Sequence, residues 1–368
     1  MEVPGRSQDT APDRRARRLA AHGAVSAALA ALSDDALRKL LDDEAVPLGS
    51  GIGGKSARLD VAGTPVFVKR VPLTDLERQP EHVGSTANLF GLPLFCHYGV
   101  GLRGAAGFGV WRELAAQAAT SDWALAGEYE GFPLMYHWRV VPDSTPLPED
   151  LADVEQAVAY WGGGAPVRRR IEALRRSSAS VALFLEYIPQ NLHQWLSVQV
   201  EAGDEAANRA CAMVEKELEA GIPFMNSRGL LHFDVHFENI LTDGRHLYFA
   251  DYGLAISSDF ELSRDEADFF DRHQVYDRCY AATYLVNWLV TALCGVRRED
   301  RDGRYALVRG YADGSRGRPT GIPEEAAALI ARHAPVAAVV SGFNLAFQSR
   351  SRRTPYPLEE IRRIGGAG

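Results

Sequence analysis

Four cysteines in 368 residues, Cys96, Cys211, Cys279 and Cys294, stand far apart and form no C-x-x-C pair. That leaves no thiolate zinc site and no disulfide framework, and it suits a reducing compartment. Long apolar runs are missing as well. No window approaches the ~20 consecutive apolar residues of a membrane span. The Ala-rich stretch from Leu19 to Leu32 follows five arginines but carries His22 and small residues, which argues against a secretory leader. Excess positive charge is also absent: a formal net charge of −8 argues against a nucleic-acid surface. Basic residues do cluster at Arg14 to Arg18, Arg168 to Arg176 and Arg350 to Arg353, where they read as solvated faces. Neither an internal repeat nor a heptad array is visible. With 46% hydrophobic and 24% charged residues, the chain has an ordinary globular composition and is long enough for two core-bearing lobes or for one large domain with insertions.

The segment from Leu230 to Ala255 carries the most chemistry. It reads Leu-Leu-His-Phe-Asp-Val-His-Phe-Glu-Asn-Ile-Leu, a Thr-Asp-Gly turn, then Leu-Tyr-Phe-Ala-Asp-Tyr-Gly-Leu-Ala. Asp234 and Asn239 are five residues apart and Asp251 follows twelve later. A carboxylate that accepts a hydroxyl proton, with an amide and a second carboxylate that hold Mg²⁺, covers the main side-chain needs of transferring a γ-phosphate. The turn at Asp243-Gly244 between two apolar runs predicts a hairpin that brings Asn239 and Asp251 together at its open end. His232 and His236 could be imagined as metal ligands, but no third imidazole or thiolate is spaced to join them.

Upstream, Gly49-Ser50-Gly51-Ile52-Gly53-Gly54 precedes a pattern of strand, turn and strand that ends at Lys69. Glycines let a backbone approach phosphate oxygens, and Lys69 adds a point charge. The run Gly49 to Ser56 also satisfies the P-loop pattern, yet a P-loop opens into a helix and residues 57–68 carry strand signals instead.

His232-Phe233-Asp234 with Asn239 resembles the catalytic loop of protein kinases and of antibiotic phosphotransferases, and Asp251-Tyr252-Gly253 resembles their metal-binding triplet. The resemblance implies an α+β, two-lobed protein kinase-like fold: a small antiparallel-sheet N-lobe with helix C, and a mainly helical C-lobe. It implies ATP and Mg²⁺ as cofactors, with Asp234, Lys69 and a helix C glutamate catalytic and with Asn239 and Asp251 on the metal. Gly49, Ser50, Gly51, Gly53, Gly54 and Lys69 would hold the phosphates. Glu186-Tyr187-Ile188, at the end of an apolar strand, resembles the hinge whose backbone binds adenine. For the glutamate that braces Lys69, Glu113 is the first choice, 44 residues downstream, with Glu77 as rival. Gln117, one turn after Glu113, departs from the aliphatic residue of the family.

Three departures stand out, the first bearing on regulation and the other two on the acceptor. Phe233 replaces an arginine that binds a phosphorylated activation loop, His236 stands where serine/threonine kinases have a lysine, and no Ala-Pro-Glu segment follows Gly253. The expectation is an atypical serine/threonine kinase-like enzyme in the cytoplasm, with no nucleic-acid or membrane partner. A small-molecule O-phosphotransferase is the alternative, and a nucleotide-binding scaffold the alternative outside enzymes.

The expected organisation is an extension over 1–46, an N-lobe over 47–187 with insertions near 71–107 and 142–178, and a C-lobe over 188–368. Residues 1 to 14 are expected to be disordered. Helices are predicted over 15–31 and 36–43, as one core helix over 269–293, and as two over 324–332 and 336–348. Pro355 and Pro357 are expected to end the regular structure.

Overall fold

The computed structural model describes residues 11–51, 54–101, 103–144, 146–162 and 164–365. Gly53 and residues 1–10, which carry two of the expectations above, lie outside them. Helix α1 (Ala11–Ala30) begins earlier than its arginine-rich pattern suggested, so residues 11–14 are helical. Two of its arginines are tied inward rather than solvated. Arg18 pairs with Glu186 at 2.7 Å and donates to the carbonyls of Glu130 and Phe132, and Arg14 donates to Glu130 at 2.6 Å. Helix α2 (Asp34–Asp43) follows, capped by Ser33, whose hydroxyl accepts from the Ala36 N–H.

Strands β1 (Val46–Gly51), β2 (Gly54–Val61) and β3 (Thr64–Leu73) form an antiparallel meander. An irregular stretch leads to α3 (Val110–Ala126) and then to β4 (Met135–Pro142). Three short helices, α4 (Glu149–Ala152), α5 (Val154–Tyr160) and α6 (Ala165–Arg176), precede β5 (Ala179–Glu186), which inserts between β3 and β4. The sheet order is β1-β2-β3-β5-β4. β5 is apolar from Val181 to Leu185, where both its faces are covered. Val181, Leu183 and Leu185 pack with Val110, Trp111 and Leu114 of α3, while Ala182 and Phe184 join Val25 and Leu29 of α1 in the main core.

Beyond β5 the chain is mainly helical. A two-residue strand β6 (Gln190–Asn191) leads into α7 (Leu192–Glu201) and α8 (Asp204–Ser227). Short strands β7 (Leu230–Leu231), β8 (Ile240–Thr242), β9 (Leu247–Phe249) and β10 (Ile256–Ser257) frame the motif-bearing loops. β8 and β9 form the hairpin predicted from the turn at Asp243-Gly244. Five helices complete the chain: α9 (Arg264–Arg272), α10 (Tyr276–Leu293), α11 (Arg301–Ala312), α12 (Glu324–Ser349) and α13 (Leu358–Gly365). The architecture is α+β, with antiparallel sheets.

Three further boundaries differ from the sequence reading. The expected single helix over 269–293 breaks at His273, whose ring nitrogen Nδ1 lies 2.7 Å from the Phe269 carbonyl oxygen while its N–H closes on Phe270. Helix α12 instead runs unbroken through Pro335, because packing against α8, α10 and α11 outweighs one missing hydrogen bond. Regular structure resumes after Pro357, in α13. Among the described residues, α12 is the one helix long and apolar enough to cross a membrane, and half of its apolar window is buried inside the protein.

Candidate active site

Lys69 sits on the face of β3 that looks toward α3, between Phe67 and Val71. From there its ammonium reaches two carboxylates, Glu113 Oε1 of α3 at 2.5 Å and Asp251 Oδ1 at 2.9 Å. Lys69 and Glu113 are buried, whereas the Asp251 side chain is 38% exposed and can still take a ligand. Burial alone would discharge the lysine, but Asp251 and Glu113 outweigh it and hold the ammonium above its ordinary range. The same contact reverses the effect of burial on Asp251 and keeps that carboxyl ionised. For Glu113 burial wins, and its carboxyl is pushed up.

Glu77, the rival, has a different role. Its carboxylate accepts from the N–H and hydroxyl of Thr74 and from the Val110 N–H at the start of α3, and pairs with Arg170 at 3.0 Å. It therefore caps α3 where Gly109 offers no side chain. Arg170 belongs to a basic cluster expected to be solvated, yet it is buried in this contact. Gln117 is buried too, and its amide donates to the Pro133 carbonyl.

The loop carrying Asp234 is strained and anchored. Phe233 and Asp251 have φ of +64° and +68°, in the left-handed region that non-glycine residues seldom occupy. The Phe233 ring is held by stacking on Tyr276, with centroids 4.5 Å apart. Asp277 of α10 fixes the backbone, accepting from the N–H groups of His232 at 2.7 Å and Phe233 at 2.8 Å. Burial pushes its carboxyl up to about 6. Asp277→Ala would leave two buried donors unpaired, each worth about 1–3 kcal/mol. A clear fall in the denaturant midpoint is expected, and an unchanged midpoint would dismiss this anchor.

Asn239 donates to the Asp234 carbonyl at 3.0 Å and to its Oδ2 at 3.1 Å, which leaves the amide oxygen as an acceptor. Ala250 donates its N–H to the Asn239 carbonyl, so the hairpin does bring Asn239 close to Asp251. Asp234 is flanked by His236, whose Nε2 lies 3.6 Å away. His236 in turn meets Glu238 at 3.1 Å, and Glu238 accepts from the Tyr284 hydroxyl at 2.8 Å. Burial raises the Asp234 carboxyl to about 6. Burial would lower the His236 imidazolium, but the charge of Asp234 and the contacts with Glu238 outweigh it and raise it.

These groups line one cleft of about 790 Å³, together with Gly54, Glu186, Tyr187 and Ile188. Gly49, Ser50 and Gly51 lie in β1. Gly54 opens β2 at φ +112°, and a Cβ there would overlap the Arg70 carbonyl oxygen, so the close approach of β3 already requires a glycine. Because residues 54–61 are strand, the P-loop alternative has no helix to open into. The Glu186 side chain is engaged by Arg18 and by the Leu134 N–H. His232 is buried with Nε2 3.0 Å from the Ala250 carbonyl oxygen, and among the described residues no group of three or more His, Cys, Asp or Glu could hold a metal ion. What remains for a cation is the Asp251 carboxylate and the Asn239 amide oxygen, a hard-oxygen pair of the kind Mg²⁺ accepts when phosphates complete its shell.

Sequence reasoning missed Asp277, Glu238, Arg18 and Gly99. Asp277 left a signal, a carboxylate within a largely apolar helix. Comparison with protein-family models gives no match, and no curated protein matches the chain either.

Proposed function

We propose that the protein is an ATP-dependent phosphotransferase, atypical serine/threonine kinase-like, that moves the γ-phosphate of ATP to a hydroxyl acceptor. The observation that carries this reading is Lys69 held between Glu113 and Asp251 in the cleft that Asp234 and Asn239 also line. The sheet order and the helix-borne glutamate support a two-lobed protein kinase-like fold, with the nucleotide lobe over 47–187, the helical lobe over 188–368 and an extension over 1–46. A cytoplasmic location accords with the use of ATP.

Each residue has a role in that chemistry. Lys69 remains cationic and supplies a positive charge to the phosphates, while Glu113 keeps it in place. Asp234 orients the acceptor hydroxyl and takes its proton, and Asn239 fixes the carboxylate through its amide. Asp251 and Asn239 are the residues that would hold Mg²⁺, which when bound offsets the phosphate charge. A nucleotide-binding scaffold typically lacks one of these groups, and all are in place. The test is release of ADP from Mg·ATP with phosphate recovered on an acceptor, screened across proteins, peptides and small molecules. Nucleotide binding without transfer to any of them would favour the scaffold.

The loop should be competent without a phosphate switch, because Phe233 is an aromatic ring buried among others and cannot pair with a phosphate. Ser257 is buried in β10, and Ser263 caps α9 with Glu266 completing the capping box. Alanine at Ser257, Ser258 and Ser263, or phosphatase treatment of the wild type, should leave the transfer rate nearly unchanged. Losing the Ser263 cap costs about 1 kcal/mol of stability. A large fall in rate in both preparations would reveal a switch in this segment.

A further inference from the structure

A second cavity, of about 630 Å³, opens among α7, α10, α11 and α12 and shares two walls with the first, Gly99 and Gly101. At Gly99 a Cβ would overlap Asp234 Oδ1, so only a glycine leaves that carboxylate room beside the shared wall. The second cavity therefore adjoins the group proposed as the base.

Its lining reverses the sign of the molecule as a whole. The chain has a formal charge of −8, yet Arg298, Arg301 and Arg304 all face this space, and no aspartate or glutamate among the described residues lines it. The three guanidinium groups are only weakly neutralised. Arg301 donates to the neutral Gln348 amide oxygen at 2.7 Å, Arg304 donates to the Arg298 backbone carbonyl at 3.0 Å, and Arg298 is 3.8 Å from Glu238 Oε1. Asp300, between Arg298 and Arg301 in sequence, is turned to cap α11 through the Gly303 N–H. Burial and then the like charges of Arg301 and Arg298 hold the Arg304 guanidinium below its ordinary range, Asp300 and Tyr284 opposing them.

The rest of the lining is aromatic and donor-rich. Trp288 and Tyr284 form a wall, and Trp288 Nε1–H donates to His193 Nδ1 at 2.9 Å. Since an indole N–H can only donate, the neutral His193 ring carries its proton on Nε2 and has a donor to offer.

We propose that this cavity binds the acceptor, and that the acceptor is a small hydroxyl compound bearing a phosphate or carboxylate, held by Arg298, Arg301 and Arg304. The proposal rests on the phosphotransferase reading and, for the acceptor, takes its small-molecule alternative rather than a protein. A cavity of this volume matches a small molecule, and three arginines repel polycationic aminoglycosides while favouring an anion through charge-assisted hydrogen bonds. In the step, the acceptor O–H gives its proton to the Asp234 carboxylate and its oxygen bonds to the γ-phosphorus. The bond from that phosphorus to the β,γ-bridging oxygen breaks, and ADP leaves with the electron pair. Asp234 then returns the proton to water.

The experiment uses the full chain with Mg·ATP and five classes of compound: sugar phosphates, hydroxycarboxylates, neutral sugars, aminoglycosides and serine peptides. ADP release is followed for each, and thermal shifts with the same compounds are recorded on Asp234→Asn protein, which reports binding without turnover. Turnover confined to the first two classes is expected, and which of the two reacts names the anionic group. KM for that acceptor should rise about tenfold for each guanidinium lost in Arg301→Gln and Arg304→Gln. Arg304→Lys should recover part of the loss, and Arg309→Gln, outside the cavity, should change nothing. Turnover of aminoglycosides, neutral sugars or peptides as readily as the anions would overturn the acceptor assignment and leave the phosphotransferase reading standing. Binding of anions that depends on Arg301 and Arg304, with no ADP released, would do the reverse. If anions neither bind nor turn over, the cavity proposal is overturned.

Discussion

Asp234→Asn is expected to lower phosphate transfer by about 10² to 10⁴ while leaving ATP affinity within a few-fold, because a positioned general base contributes on that order and touches the acceptor rather than the nucleotide. The amide keeps the shape of the side chain and its contact with Asn239, so the protein should fold normally. Loss of ATP binding in that folded variant would show that Asp234 has been misassigned. The same group sets a pH limb. A base must be ionised to act, and burial has raised the Asp234 carboxyl to about 6. The value of kcat/KM, which reports free-enzyme ionisations, should therefore rise with pH through about 6 and level off above it. The interaction with His236 makes this a property of the pair, and His236→Gln should move the limb upward, since the imidazolium charge that helps to keep Asp234 ionised is gone. A profile flat from pH 5 to 8 would argue that another group takes the proton.

Lys69→Met should abolish transfer, because a thioether can supply neither the charge at the phosphates nor the link between Glu113 and Asp251. It also leaves two carboxylates in one site without their shared cation. Their mutual repulsion should raise the apparent pKa of at least one, since Asp251 already pushes Glu113 upward. Asp251→Ala should be as damaging to transfer. Glu113→Gln should be milder, because Lys69 keeps Asp251 as a partner. Measured as kcat/KM with the acceptor found by screening, the expected order of loss is Lys69→Met and Asp251→Ala together, then Glu113→Gln. Full transfer by both of the first two would dismiss the kinase-like reading. Glu77→Ala should destabilise the fold, because it strands Arg170 and uncaps α3.

The sequence by itself determined the local features. A turn pair between apolar runs specified the β8–β9 hairpin, alternation around Gly63-Thr64 specified β2 and β3, and the intervals among Asp234, Asn239 and Asp251 specified a compact loop. Each depends on a few neighbouring residues whose torsional and burial preferences agree. Tertiary structure decided whatever depended on which groups meet across the chain. Glu113 reaches Lys69 because β3 presents the lysine to α3, while Glu77, nearer in sequence, is drawn to the end of that helix. Arg14, Arg18 and Arg170 look like solvated charge along the chain but are committed to Glu130, Glu186 and Glu77 in space. The cluster of Arg298, Arg301 and Arg304 is hidden for the same reason. Glu299, Asp300 and Asp302 alternate with it in sequence, and only the turn into α11 separates the two signs and leaves the arginines on the cavity beside Asp234. A charge pattern along a chain records spacing, whereas the field at a site depends on distances that folding alone sets.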